Sequence, residues 1–584
     1  MASYPSESRL EQSEPPAPGH SLPSYSEPTP ESTRPISRED EAELALKHTV
    51  FSRGAALILI AGFILTICLV PAIQLFAELR AGSRHTNMPA PDAPRMPPDG
   101  PKNGAAVSRS NPWNTLPTAR ALKSVEKRIE DQSVVSQWLL PRVQSVLTGA
   151  LGAGNEQTYV GRDGCLFYRP DVDYITGAPF LDKQRMKQRS AKSGVSPDPL
   201  RAIIEFRNQL ASRGIELVVM PAPVKPAVDG EMLSAQVTPG AVLENASFAE
   251  FKSCLEKEGV RVFDAAPLLR ERKRSLGGKP LYLQTDTHWL PETMEFTAER
   301  LAVFINLPTH AASVGLRVLD KQIDGMGDIA TMLRLSAGQT NFPPQQVNMH
   351  QVTLDTGLWR PDKDSDVLLL GDSFSNIFSL EPMGWGESAG FAEHLSRALG
   401  RNAIDCILRN SDGAFSTREL LSQSLARGRD RLAGKKLVIW EFAARELAFG
   451  NWKLIPMKAG ESKPSTSLAL KPGEEVLATG TVEETSPVPR PGAVPYKDHI
   501  FSVHLVDIEH AGQREVSGAH ALVYLWSMRN NVWTPAARLR PGARIALRLR
   551  SWDDVSATYE KFNRSEIDNS DLQKEEPLWG ELVQ

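Results

Sequence analysis

The sequence predicts an α/β domain, a parallel sheet with helices on both faces, and two observations predict it. Short apolar runs that read as buried strands recur at 215–220, 261–263, 367–370, 403–408 and 437–442. Helical stretches separate them at 291–305, 388–399 and 416–427, and a helix with Leu200, Ile203, Ile204, Phe206 and Leu210 leads into the first strand. Alternation of this kind is the mark of strands joined by crossover helices. Ligands then sit beyond the carboxyl ends of the strands.

Around that domain the chain changes character several times. Its 584 residues carry 66 Lys+Arg against 70 Asp+Glu, a net charge of −4, with 41% hydrophobic and 23% charged residues. That is globular composition; it excludes a wholly disordered or polytopic membrane protein and offers no basic surface for nucleic acid. Residues 1–50 are rich in Pro, Ser and Glu and poor in large apolar residues, and read as a disordered tail. Residues 54–73 then carry no charge, long enough to span a bilayer as a helix, so a single uncleaved anchor is expected over 54–76. Lys47 and Arg53 before it nearly balance Arg80 and Arg84 after it, so the expected orientation, with the large domain periplasmic and the anchor in the inner membrane, rests on architecture.

A Pro-rich linker follows over 77–118, then the main domain over 119–460, opening on a helical stretch at 119–147. The aromatic segment 159–177 suggests short strands. Beyond a Pro/Gly-rich joint at 480–495, the runs HIFSVHLVDIEH, HALVYLWSM, NVWTPAARL and RIALRLRSW read as four strands of a small all-β module, 480–555, followed by an acidic tail, 556–584. Tyr524, Trp526, Trp533 and Trp552 in that module either pack its core or stack on sugar rings. Four cysteines, Cys68, Cys165, Cys254 and Cys406, are too few and too scattered for a disulfide scaffold or zinc site.

The sharpest chemical signal is LLLGDSFSN, 368–376, where a buried strand delivers Gly371, Asp372 and Ser373 into a sharp turn. The bland alternative is an ordinary strand-to-helix turn with a serine cap. A serine hydroxyl needs a base, and the base an orienter. LQTDTHWLPE, 283–292, offers Asp286 and His288 just before a helix, and on an extended segment residues two apart point the same way. For an oxyanion the backbone N–H of Ser373, at the strand end with Gly371, is the expected first donor, and a second is expected from RNSDGAFS, 409–416, with Asn410 and Gly413, though a glycine turn capped by Ser416 explains that loop at least as well. Arg445 either touches substrate or forms an ion pair with Glu441 or Glu446. No metal or nucleotide cofactor is indicated.

TDTHW followed by GDSFS resembles the alginate O-acetyltransferase family (AlgX/AlgJ type), whose domains are SGNH-hydrolase-like. The likeness extends to GRDGCLFYRPDVDY (161–174), VVMPAPVKP (218–226) and VIWEFAARE (438–446). Ordinary GDS esterases place the serine before the Asp/His pair; the reversed order here is shared with the family. Cys165 stands where the family leads one to expect a large aromatic. The resemblance implies Ser373 as nucleophile, His288 as general base and Asp286 as orienter. It also implies an acetyl-serine intermediate, a polysaccharide acceptor and a polytopic membrane-bound O-acyltransferase as acetyl supplier. An acetylesterase with the same triad and a non-catalytic polysaccharide-binding protein remain the alternatives.

Overall fold

The computed structural model describes residues 53–82 and 134–583, apart from 194, 240, 242, 309–314, 337, 356, 411–412, 427, 461–466, 493, 495, 511–519, 568, 570–571 and 573–574. The expected disordered tail, most of the linker and the stretch 119–133 lie outside the described residues. The chain divides into two units, the second holding nearly everything from residue 136 onward.

The first unit contains the helix Arg53–Gly82. Leu57, Ile58, Leu59, Ile60, Phe63, Ile64 and Leu65 along it are all more than half exposed. Among the described residues no helix is long and apolar enough to cross a membrane. The side chains at 53, 66, 67, 70–72 and 74–82 fall outside that description.

The helix Val134–Leu151 belongs to the second unit from Ser136 onward, and a hairpin of β1 (Thr158–Val160) and β2 (Leu166–Tyr168) follows it. The chain then enters the helix Arg169–Thr176, so the segment expected as short strands is strand only in its first half. Pro170 sits in the first turn, where the missing N–H has no intrahelical partner to lose.

The strands expected for the main sheet are present: β3 (Glu216–Ala222) and β4 (Arg261–Val262), then, after the three strands described next, β8 (Val367–Gly371), β9 (Asp405–Leu408) and β10 (Leu437–Ala443). They pair in parallel in the order β4-β3-β10-β8-β9. Every residue of β8, β9 and β10 is buried, which is why these strands are continuous apolar runs without alternation. Helices Pro199–Ala211, Pro291–Ile305, Phe391–Ala398 and Ser416–Ala426 lie in the expected stretches. Between β4 and β8 lies an unexpected antiparallel sheet of β5 (Arg317–Gly325), β6 (Gln345–Leu354) and β7 (Gly357–Leu358). Most of β5 is exposed, so it has no apolar alternation to betray it.

The C-terminal module is larger than the sequence suggested. Its strands are β11 (Glu475–Thr485), β12 (His499–His510), β13 (Ala521–Arg529), β14 (Val532–Trp533), β15 (Arg544–Ser551), β16 (Arg564–Ser565) and β17 (Leu578–Leu582). The order β13-β17-β15-β11-β12 closes through a β12–β13 pairing into a barrel. The joint therefore contributes the end of β11, and the acidic tail contributes the closing strand β17. NVWTPAARL is strand for two residues and then a 3-10 turn, Pro535–Arg538, because proline has no N–H for the ladder. Tyr524 and Trp552 are buried with Trp579 and Phe562, and Trp526 packs against that cluster, so these aromatics are core; Trp533 is at the surface. All four cysteines are unpaired.

Candidate active site

The carboxyl end of β8 sets the serine. Asp372 caps the turn Ser373–Asn376: its Oδ1 accepts from Phe374 N–H at 2.8 Å and its Oδ2 from Ala443 N–H at 2.7 Å, tying the end of β8 to β10. Gly371 is packed rather than presented: a Cβ there would lie 2.6 Å from Ser375 Oγ and 2.9 Å from Leu408. Its role is close approach beneath the turn. Ser373 is only 4% exposed, and among the described residues its N–H has no hydrogen-bond acceptor.

Beneath the turn lies Glu441, whose Oε2 accepts from Asp372 N–H at 2.9 Å and Ser375 O–H at 2.7 Å. Burial, reinforced by the Asp372 charge, raises its pKa well above the usual carboxylate range. A group that holds its proton in the fold but ionises when unfolded makes stability fall as pH rises from about 4.5, the unfolded value, toward the folded one. Glu441→Gln keeps a neutral acceptor and removes that dependence. Denaturant unfolding of the variant is expected to vary less with pH above about 5 than that of the parent; identical slopes would show that Glu441 is ionised in the fold.

Asp286 and His288 are brought together as expected, but by a turn rather than an extended segment. Tyr282 pairs with Trp289, Leu283 N–H donates to His288 O, and Asp286 Oδ1 accepts from His288 N–H at 3.0 Å, a side-chain-closed turn. The same Oδ1 lies 2.6 Å from His288 Nδ1. A carboxylate there requires Nδ1 to carry the proton, leaving the lone pair on Nε2. Nε2 is buried and has no partner among the described residues. The imidazole packs edge-on to Phe374, the neighbour of Ser373, and Trp289 Nε1–H donates to Phe374 O at 3.2 Å. Asp286 Oδ2 accepts from Trp385 Nε1–H and Asp328 N–H, both at 3.0 Å. Burial opposes ionisation of Asp286, but His288 and these donors bring its pKa down to about 2. Burial likewise disfavours the imidazolium; the Asp286 charge outweighs it and raises the His288 pKa.

Sequence reasoning missed the groups that hold this turn. Lys225 is buried, and its ammonium donates to the carbonyls of Leu166 (2.7 Å), Leu283 (2.7 Å), Gln284 (2.8 Å) and Asp286 (3.2 Å). Asp229, ion-paired with buried Lys273 at 2.6 Å, accepts from the N–H groups of Leu281 and Tyr282. Gly327 passes so close that a Cβ would lie 2.0 Å from Thr285 O. Only the VKP of the 218–226 segment pointed toward any of these.

The weaker candidates resolve differently. Asn410 is buried, and its Oδ1 accepts from Asn376 Nδ2–H at 3.1 Å. Its own Nδ2 donates to no acceptor among the described residues. Gly413 has φ 84° and its carbonyl accepts from Ser416 N–H and O–H, the turn-and-cap alternative; residues 411–412 lie outside the described residues. Arg445 pairs with Asp171 at 3.0 Å, not with Glu441 or Glu446 as expected, because the helix Arg169–Thr176 carries Asp171 beneath it. Asp286, His288 and Asp328 offer ligand-type atoms within 4.8 Å of one another, but the oxygens of both carboxylates are already spent on N–H and O–H donors.

Comparison with known proteins bears out the resemblance seen in the sequence. Residues 159–444 match the family described as SGNH hydrolase-like domain, acetyltransferase AlgX. The chain is 29% identical over 281 residues to the probable alginate O-acetylase AlgJ of Pseudomonas fluorescens, 46% of this chain and 65% of that protein. It is 25% identical over 307 residues to the alginate biosynthesis protein AlgX of Pseudomonas syringae pv. tomato, 49% of this chain and 60% of that protein. The match therefore spans less than two thirds of either relative. Among solved structures, the O-acetyltransferase domain of Pseudomonas putida AlgJ aligns at 21% identity and TM-score 0.38, over 50% of this chain and 93% of that one.

Proposed function

We propose, from the match of residues 159–444 to the AlgX-type acetyltransferase family and from the geometry around His288, that this chain transfers acetyl groups to polysaccharide hydroxyls. The observation that carries the reading is His288 Nε2: buried, without a partner among the described residues, and held by an ionised Asp286 beside the turn bearing Ser373. Buried polar atoms are seldom left unpaired without a use.

In the proposed reaction Ser373 Oγ attacks the acetyl carbonyl carbon while its proton passes to His288 Nε2. The carbonyl electron pair moves onto oxygen, where Ser373 N–H and Asn410 Nδ2–H, which donate to no acceptor among the described residues, are the candidate donors. Collapse expels the donor's leaving group, which takes the proton from His288 and leaves acetyl-Ser373. A sugar hydroxyl then gives its proton to Nε2 and attacks the ester, and Ser373 departs with that proton. The near-complete burial of Ser373 and His288 limits access by bulk water and favours transfer over hydrolysis. The relatives' names make an alginate-type polysaccharide the first acceptor to test.

The decisive assay supplies an artificial acetyl ester with and without an oligosaccharide. The proposal expects acetylated sugar to exceed free acetate; release of acetate alone, unaffected by sugar, would make the protein an esterase.

The uncharged run 54–73, with its apolar side chains exposed from Leu57 to Leu65, is the support for reading a membrane anchor there, with the domain beyond it in the periplasm. Such a domain would draw its acetyl groups from a polytopic membrane O-acyltransferase held nearby. A reporter active only outside the cytoplasm, fused after residue 110, should be active; inactivity alongside a working cytoplasmic reporter would reject this topology.

A further inference from the structure

We propose that Asp328 is a positioning residue for the Asp286–His288 pair, fixing it through Thr287 on one side and through its own N–H on the other. The inference rests on reading Ser373, His288 and Asp286 as the acyl-transfer triad. Asp328 belongs to no motif of that reading. It begins the short helix Asp328–Met332, brought against the turn by the close approach of Gly327 to Thr285.

The contacts form a ring. Asp328 Oδ1 accepts from Thr287 N–H at 2.9 Å and Oδ2 from Thr287 O–H at 2.6 Å. Thr287 Oγ1 lies 3.1 Å from His288 Nδ1, and Asp328 N–H donates to Asp286 Oδ2 at 3.0 Å. Because the threonine hydroxyl spends its proton on Asp328, it can meet His288 only as an acceptor. It therefore reinforces the tautomer with hydrogen on Nδ1 and the lone pair on Nε2, which the base requires. A second carboxylate in the ring also stabilises the imidazolium formed when Ser373 gives up its proton.

The other charged and titratable groups facing this ring are few. Asp286, Lys225 and Tyr168 interact with Asp328, and Asp286, Asp171 and Asp372 with His288. Burial and the neighbouring Asp286 charge raise the Asp328 pKa to about 7.

The test is the proton affinity of His288 in the purified full chain, read by NMR of labelled histidine and by the acid limb of kcat/KM for an artificial acetyl ester. Asp328→Asn removes the charge, and His288 is expected to titrate about one unit lower, tenfold in proton affinity, with the acid limb moving the same way. Asp328→Glu should keep most of the parent titration. Thr287→Val, which weakens the Asp328 carboxylate and removes the acceptor at Nδ1, should move His288 in the same direction by less. If Asp328→Asn does not fold, Thr287→Val decides. Unmoved titration in the folded variants, with only a lower Tm, would reduce Asp328 to a structural contact and overturn the proposal. Failure of the functional reading looks different: the parent would neither turn over ester nor be labelled at Ser373, while the titration still reports on Asp328.

Discussion

Ser373→Ala and His288→Ala are each expected to lower acyl transfer by roughly a thousandfold or more, and the double variant to cost no more than either alone. Groups that act as one unit lose their whole effect when any essential member is removed. His288 makes its side-chain hydrogen bonds within its own turn, and among the described residues Nε2 has none, so its replacement costs no hydrogen bond to the serine's turn, only the edge-on contact with Phe374. Asp286 is different: it also accepts from His288 N–H, Asp328 N–H and Trp385, so Asp286→Ala should lose stability as well as activity. Asp286→Asn keeps the shape and should be milder than loss of the serine. Initial rates and thermal unfolding of the five variants check this; full activity in Ser373→Ala with covalent label at Ser375 would transfer the role to another serine.

Lys225→Met should have the largest effect on stability. The variant leaves four carbonyls, of Leu166, Leu283, Gln284 and Asp286, without their shared donor in a buried site. Removing one partner of such an arrangement costs about 3–5 kcal/mol. Three of those carbonyls belong to the turn that carries Asp286 and His288, so the loss falls on the pair itself. A markedly lower unfolding midpoint, together with slowed labelling of Ser373 by a phosphonylating reagent, is the expected result. Unchanged labelling in a destabilised protein would separate the Lys225 cage from the site.

What could be read in the sequence follows from where each residue is buried. The main sheet was legible because β8, β9 and β10 are buried on both faces and are therefore unbroken apolar runs. Exposed β5 and the closing strand β17, set in an acidic stretch, carry no such run and were invisible. Ser373, His288 and Asp286 announced themselves by residue type and spacing. Their geometry did not, because the turn is made by a side chain closing on the backbone, with Lys225 and Asp229 gathering carbonyls and N–H groups from distant segments. Asp171 as the partner of Arg445 is hidden because the aromatic run around it suggests strand, whereas it lies on the helix Arg169–Thr176.

The most direct test is mass spectrometry of the protein after a single turnover with an acetyl ester. The account predicts an acetyl group on the peptide bearing Ser373, formed slowly or not at all in His288→Ala. That group should leave when an oligosaccharide is added and be recovered on the sugar. An acetylated sugar produced at the parent rate with no acetyl-Ser373 formed, or by Ser373→Ala, would contradict it.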